Sequence, residues 1–431
     1  MPFRLPRLLP SRALGALLLP LLPLLPLALS GCGTLLPPAW IIGQQRTMIT
    51  DHQHFDNAPI PASRQPVPLP AAPEALKLPA APDGGDLGPW LAQQGTVALI
   101  VLRDGRIVHE QYFAGRQRDT LLTSFSVAKS VVALLLGQAI RDGHIRGIDD
   151  PVTRYLPELE RQDPRFAQVR LRDLLAMRSG IAFQEKYSSP WSDVAIFYLT
   201  QDLGRAVAGL KIAEPPDQRY RYSSGDTQLL GMAIERATGQ RLHQRVAQDL
   251  WAPMGAGMDA SWSVDSAVLG QARAFCCLNA RALDFARIGQ LMLDRGRVGA
   301  RQVVPAEWID TLLTVQTHPG DDAAAQRNIE LPGRPEAAFY TGQWRRLPQG
   351  PLEMRPDPAS GRDPAALVPG TDFYAQGQHG QYIFVAPRQR TVVVRLGTDR
   401  RPGTWWPGVL GRIARSGLDG TEPVVEALSA R

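Results

Sequence analysis

The chain has 431 residues, 47 of them Lys or Arg and 41 Asp or Glu, for a net charge of +6. Three of the positive charges, Arg4, Arg7 and Arg12, precede an apolar run, which leaves about +3 beyond residue 31, too little for an electrostatic nucleic-acid binder. With 44% hydrophobic and 20% charged residues and no low-complexity repeat, the bulk of the chain can bury a core, which excludes a wholly disordered or collagen-like protein.

Residues 1–31 read as a secretory signal: a positive start, an apolar run from Ala13 to Leu29, and small residues before Cys32. Pro20, Pro23 and Pro26 each remove a backbone donor inside the run, which argues against an unsupported membrane-spanning helix. Leu29-Ser30-Gly31-Cys32 resembles the lipobox of bacterial lipoproteins. That resemblance implies lipidation at Cys32, membrane attachment through the lipid and a place in the bacterial cell envelope, expected on the periplasmic face of the outer membrane. A simply secreted protein and an uncleaved anchor are the alternatives.

Residues 32–90 are rich in Pro and Ala and are expected as an extended tether, with packing of part of it on the domain left open. The folded domain is expected over 91–420, with a tail at 421–431. Thr96 to Leu102 and Arg106 to Tyr112, joined by Asp104-Gly105, predict an antiparallel hairpin. Helices are expected over Ser126 to Asp142, Leu171 to Met177, Thr227 to Thr238, Ala280 to Asp294 and Pro305 to Leu313. Strands return at Tyr382 to Ala386 and Thr391 to Leu396, followed by a closing helix within 404–416. Strands at both ends with helices between them predict an α+β fold: an antiparallel sheet completed by both termini, flanking helices, a helical insert and a cleft between the two lobes. Segments 181–220 and 315–372 show no periodicity.

Cys276 and Cys277 are expected as small buried hydrophobes rather than a redox pair, because adjacent cysteines close only through a strained ring. The seven histidines show no His-Glu-x-x-His spacing, so neither a metal nor a cofactor is expected.

Ser126-Val127-Ala128-Lys129 puts a hydroxyl and an amine one turn apart on one helix face, at the helix end that favours negative charge. Lysine is scarce, with only Lys77, Lys129, Lys186 and Lys211 beside 43 arginines. Arginine cannot release its proton near neutral pH, whereas a buried lysine can. Tyr220 to Asp226 brings a phenol and hydroxyls to the start of the next long helix. There Ser224 or Asp226 would serve equally as a helix N-cap, and Tyr222 as a core ring.

Taken in order, Ser126-x-x-Lys129 after an N-terminal hairpin, Tyr222-Ser223-Ser224 further on, and Phe373-Tyr374-Ala375-Gln376-Gly377-Gln378-His379-Gly380-Gln381 leading into the last hairpin resemble the serine β-lactamase-like superfamily over about residues 95–415. Phe183-Gln184-Glu185-Lys186-Tyr187 and Tyr222 to Gly231 are most similar to its class C β-lactamase, esterase and 6-aminohexanoate-dimer hydrolase branch. The resemblance implies Ser126 as nucleophile, Lys129 and Tyr222 sharing the base and acid roles, and an oxyanion hole from the Ser126 amide and a strand residue near Ala375. It also implies substrate contacts from Tyr187 and Ser224, although a tyrosine in that loop equally serves packing.

Two departures stand out. Ser224 occupies the place of the family's asparagine, and no lysine follows Lys211, so the Lys-Thr-Gly element of the active-site strand is missing. Without that lysine a carboxylate-bearing ligand loses one charge-assisted contact. This favours a small-molecule ester or amide substrate over a β-lactam or a D-Ala-D-Ala peptide. His379 either takes part of the lysine's role or caps the turn. A serine hydrolase acting through a Ser126 acyl-enzyme is thus expected, a non-catalytic envelope binder on the same fold or a β-lactamase or D-Ala-D-Ala peptidase being the alternatives.

Overall fold

The computed structural model describes residues 47–73, 75–320, 322–330, 337–350, 363–399 and 405–418. The signal at 1–31, Cys32 and the tail at 421–431 lie outside the described residues.

The hairpin read from the sequence forms as β2 (Thr96–Arg103) and β3 (Arg106–Tyr112). Seven of the eight β2 residues are buried, so the strand must be covered on both faces, which places it centrally in a sheet rather than at a half-solvated edge. Its other neighbour is β14 (Thr391–Gly397), paired antiparallel from Thr391 opposite Arg103 to Leu396 opposite Ala98. Sequence-distant ends therefore meet inside one eight-stranded antiparallel sheet of order β3-β2-β14-β13-β12-β11-β10-β9, as its second and third strands. Its remaining strands are β9 (Ile329–Glu330), β10 (Ala338–Thr341), β11 (Trp344–Pro348), β12 (Pro369–Gly377) and β13 (Gln381–Ala386).

Period-two alternation sorts the strand side chains between two cores. Ala98, Ile100, Leu102, Val392 and Val394 join the core that also contains helices α2 (Val127–Arg141) and α6 (Ala282–Leu293). Leu99, Val101, Val393 and Phe384 face the opposite way, onto α1 (Leu87–Gln93) and α8 (Trp406–Arg415). The helical insert contributes α3 (Leu171–Leu175), α4 (Asp193–Leu199), α5 (Ser224–Thr238) and α7 (Ala306–Leu313). The architecture is the expected α+β fold, with the sheet completed by both ends of the domain.

A second sheet, of order β1-β5-β6-β4, joins β1 (Asp56–Ile60), β4 (Leu122–Thr123), β5 (Ala260–Val264) and β6 (Leu278–Ala280), while β7 (Arg297–Val298) and β8 (Arg301–Gln302) form a small separate hairpin. From residue 47 onward the stretch expected as a tether lies on the domain. Ile49, Phe55 and Ile60 are buried in the main core, β1 pairs with β5 along its length, and Ala71 bridges to Ile107. Apolar anchors between the prolines hold this segment although it carries no readable period. The unreadable 315–372 region contains β9, β10 and β11, strands of two to five residues, too short for an alternation to show. Among the described residues no helix is long and apolar enough to cross a membrane.

Candidate active site

The approach to the proposed nucleophile is a sharp turn out of β4. Ser124 N–H donates to the Leu278 carbonyl at 2.9 Å, and Phe125 adopts a left-handed φ of 45°, a conformation uncommon outside glycine. Ser126 follows with helical φ/ψ, and α2 begins at Val127. The Ser126 N–H has no acceptor among the described residues, as an oxyanion donor requires.

One turn on, Lys129 is only 2% exposed, and its Nζ donates three hydrogen bonds: to Ser126 Oγ at 3.1 Å, to Ser224 Oγ at 3.1 Å and to the Phe275 carbonyl at 2.8 Å. Taking an ammonium out of water costs several kcal/mol. Three charge-assisted bonds at about 1.5–3 kcal/mol each are enough to offset it. The expected Ser126–Lys129 contact is therefore direct.

Ser224 does not do what its position suggests. Ser223, not Ser224 or Asp226, caps α5, its Oγ accepting from Asp226 N–H. Ser224 instead accepts from Lys129 and donates its own hydroxyl proton to Glu185 Oε1 at 2.7 Å, while its N–H donates to Glu185 Oε2, also at 2.7 Å. Glu185 thus sits on the N-terminal end of α5, where the helix dipole favours a carboxylate. Tyr187 OH donates to the same Glu185 Oε1 at 2.5 Å while the residue as a whole is 56% exposed, so this tyrosine stands at the mouth of the site. In the same loop Trp191 is 82% exposed.

Tyr222 is placed by its ring. Lys129 Nζ lies 5.1 Å from the ring centroid, the Arg345 guanidinium 5.5 Å, and Tyr340 meets it edge-on at 5.8 Å. Its hydroxyl has no hydrogen-bond partner among the described residues. Arg345 is buried and held by Glu330 through two bonds, at 2.7 and 3.1 Å, and Glu330 also accepts from Tyr220 OH at 2.7 Å. Burial alone would push the guanidinium toward neutrality, but the Glu330 carboxylate, with the phenols of Tyr222 and Tyr220, overcomes it and raises its pKa well above the usual arginine range.

Ala375 lies on β12, paired with Ile383 of β13. The pairing of β12 with β11 reaches only as far as Arg345 opposite Tyr374, so Ala375 falls level with the first residue of β11 and Gln376 and Gly377 run past it. Gly377 passes so close to α2's approach that an added Cβ would stand 2.3 Å from the Ser124 carbonyl oxygen, an impossible contact. Only glycine lets this strand end border the nucleophile turn. His379 sits in the turn after β12 with φ 62°, one ring nitrogen bonded to Thr47 Oγ1 at 2.9 Å and the other to the Asp399 carbonyl at 3.1 Å. Both nitrogens are engaged, which fits the turn-capping role rather than substrate contact.

The two adjacent cysteines are a correction. They are buried, as expected, but Cys276 and Cys277 are joined by a disulfide. Cys277 takes a left-handed φ of 74°, which folds the two-residue unit back on itself and brings the sulfurs together. Phe275, Glu185 and Arg345 were not assigned roles from the sequence. Only Glu185 carried a signal, as part of the Phe183 to Tyr187 stretch; the others act from 146 residues beyond Lys129 and from a segment without periodicity.

Comparison with known proteins bears on this constellation. The profile of the family described as Beta-lactamase matches residues 91–404. The 6-aminohexanoate-dimer hydrolase of Paenarthrobacter ureafaciens is 29% identical over 342 residues, covering 75% of this chain and 78% of that protein. Esterase EstB of Burkholderia gladioli is 33% identical over 184 residues, 37% of this chain and 45% of the esterase. A solved Bacillus anthracis structure, provisionally described as a 6-aminohexanoate-dimer hydrolase, superposes with a TM-score of 0.69 at 21% identity, over 88% of this chain and 94% of that one, and so supports the fold.

Proposed function

Because the chain belongs to the beta-lactamase family, we propose that it is a serine hydrolase that cleaves an ester or small amide through an acyl-enzyme on Ser126. The observation that carries this reading is the 3.1 Å contact between Lys129 Nζ and Ser126 Oγ: with two N–H groups given to Ser224 Oγ and the Phe275 carbonyl, the neutral amine would turn its lone pair to Ser126, and the ammonium formed on proton transfer would find three acceptors.

In its neutral form Lys129 accepts the Ser126 proton as Oγ bonds to the substrate's carbonyl carbon, and the carbonyl electron pair moves onto oxygen beside the Ser126 N–H. Tyr222, whose hydroxyl is not spent on the protein, gives its proton to the leaving alcohol or amine as that bond breaks. Water then attacks the acyl carbon and returns a proton to the Tyr222 oxygen, and Lys129 hands its proton back to Ser126. The relatives named as a 6-aminohexanoate-dimer hydrolase and an esterase support amide and ester bonds as the substrate class. The lack of a lysine on β12, and the commitment of Arg345 to Glu330, leave no free cation there for a β-lactam carboxylate among the described residues.

We also propose that Cys32 carries a lipid that holds the domain at the bacterial envelope, on the strength of Leu29-Ser30-Gly31-Cys32. Detergent phase partitioning of wild type against Cys32→Ala tests it; equal partitioning overturns it.

For the catalytic reading, intact mass is measured after incubation with a fluorophosphonate, for wild type, Ser126→Ala and Lys129→Ala. One adduct on wild type and none on either variant is expected, with p-nitrophenyl butyrate turnover following the adduct. A folded wild type that takes no adduct overturns the reading and favours a non-catalytic binder.

A further inference from the structure

We propose that the Cys276–Cys277 disulfide is a positioning latch for the catalytic lysine, acting through the left-handed backbone at Cys277. The inference rests on the reading of Lys129 as the group that activates Ser126.

The two-residue unit sits between two carbonyls that hold the nucleophile turn. Immediately before it, the Phe275 carbonyl accepts from Lys129 Nζ at 2.8 Å. Immediately after it, the Leu278 carbonyl accepts from Ser124 N–H at 2.9 Å, two residues ahead of Ser126. Between them Cys277 O accepts from Ser263 N–H of β5, and Cys276 N–H donates to the Arg273 carbonyl. The backbone of this short path therefore has few ways to adjust without moving one of the two anchors.

Cys277 has a φ of 74°, a region that residues bearing a Cβ leave readily for the extended basin. A rotation there reorients the path from Phe275 to Leu278. The disulfide ring closes over the same residue and forbids that rotation. Cys276 and Cys277 are 4% and 0% exposed, so the bond is shielded from thiols once the domain has folded, which suits a fixed latch rather than an exchange site. Forming it removes two protons and two electrons from the thiols, accepted by a partner disulfide that is reduced to two thiols. An oxidising compartment supplies such a partner.

The test compares full-length wild type with Cys276→Ala/Cys277→Ala, whose residue 277 is poorly suited to positive φ, and with Cys276→Ala/Cys277→Gly, whose residue 277 adopts it freely. Peptide mapping without reduction establishes the bond in wild type. The expected result is a folded Ala/Ala protein with kcat for p-nitrophenyl butyrate at least tenfold lower, KM changed less than threefold and the acid limb of the kcat/KM profile displaced. The Ala/Gly protein recovers to within about threefold of wild type. If Ala/Ala does not fold, Cys276→Ala alone, which opens the bond and keeps the Cys277 side chain, stands in its place. Two free thiols in the active wild type, an Ala/Ala protein with wild-type kcat and pH profile, or equal losses in the Ala and Gly variants each overturn the latch. A wild type that takes no fluorophosphonate adduct brings down the hydrolase reading and the latch with it. Wild-type labelling with unimpaired variants brings down the latch alone.

Discussion

Lys129 donates to Ser224 Oγ at 3.1 Å, so the hydroxyl that stands where the family's asparagine would be is a partner of the lysine. Ser224 accepts from the lysine while giving its own proton to Glu185, which orients the hydroxyl's lone pairs toward Nζ. Replacing it with alanine removes one of three acceptors of the ammonium and leaves Glu185 with the Ser224 N–H and Tyr187. Ser224→Ala is therefore expected to melt within a few degrees of wild type and to lose about ten- to a hundredfold in kcat, the scale of a charge-assisted hydrogen bond. Steady-state kinetics on p-nitrophenyl esters checks it; an unchanged kcat would show that the Lys129–Ser224 contact carries no catalytic weight.

Trp191 is 82% exposed in the loop that carries Tyr187, so little of its surface is buried by folding. Trp191→Ala is expected to leave stability within about 0.5 kcal/mol. It should raise KM several-fold for aromatic or long-chain esters, with kcat nearly constant, the signature of lost uniform binding. Equal KM values across an ester chain-length series would remove Trp191 from the binding surface.

Arg345 and Glu330 form a buried pair that also seats Tyr222 and Tyr220. Arg345→Met takes away the cation that neutralises the buried Glu330 carboxylate and should cost about 3–5 kcal/mol in urea unfolding. Adding Glu330→Gln removes that uncompensated charge while keeping an acceptor for Tyr220, so the double variant should be more stable than the single. A double variant no more stable than Arg345→Met would mean the two side chains are not coupled.

Asp226, fully buried in the first turn of α5, has its pKa pushed up to about 7 by burial, against the lowering by Ser179 and Ser223; Asp173 is raised to about 6, again chiefly by burial. Between about pH 4 and 7 the folded protein keeps protons that the unfolded chain has released. The contribution of these groups to stability therefore falls as pH rises through that window. Asp226→Asn, neutral at every pH and still able to accept from Ser179, should flatten part of that decline, so its melting temperature gains on wild type from pH 5 to pH 8. Parallel curves for the two proteins would refute the assignment.

The parts of the site that were legible from the sequence are those whose geometry is local. Ser126 and Lys129 share a helix face by spacing alone, and β2, β3, β13, β14 and α2 follow from composition and turns. Ser224 was legible only as the residue two after Tyr222; its bonds to Lys129 and Glu185 could not be read, because they join positions 95 and 39 residues away. Phe275 contributes a backbone carbonyl, which no side-chain pattern can announce. The Cys276–Cys277 bond hinges on a positive φ at Cys277, a backbone choice that its residue type argues against. The segment from residue 47 was read as a tether because its few apolar anchors, Ile49, Phe55 and Ile60, follow no period and precede a run rich in proline and alanine.

The pairing of β2 with β14 also orders events during synthesis. These interior neighbours of the large sheet lie almost 300 residues apart, Thr391 opposite Arg103. A growing chain holds β2 early but has nothing to place on one of its long edges until the last strand has been made. Loop closure over that span is entropically late and intrinsically slow. The domain thus remains without the seam that joins its N-terminal hairpin to the rest of the sheet until translation is nearly complete, and a ribosome that stops short of residue 391 releases a chain with two open, apolar strand edges, a substrate for aggregation or proteolysis rather than a smaller hydrolase.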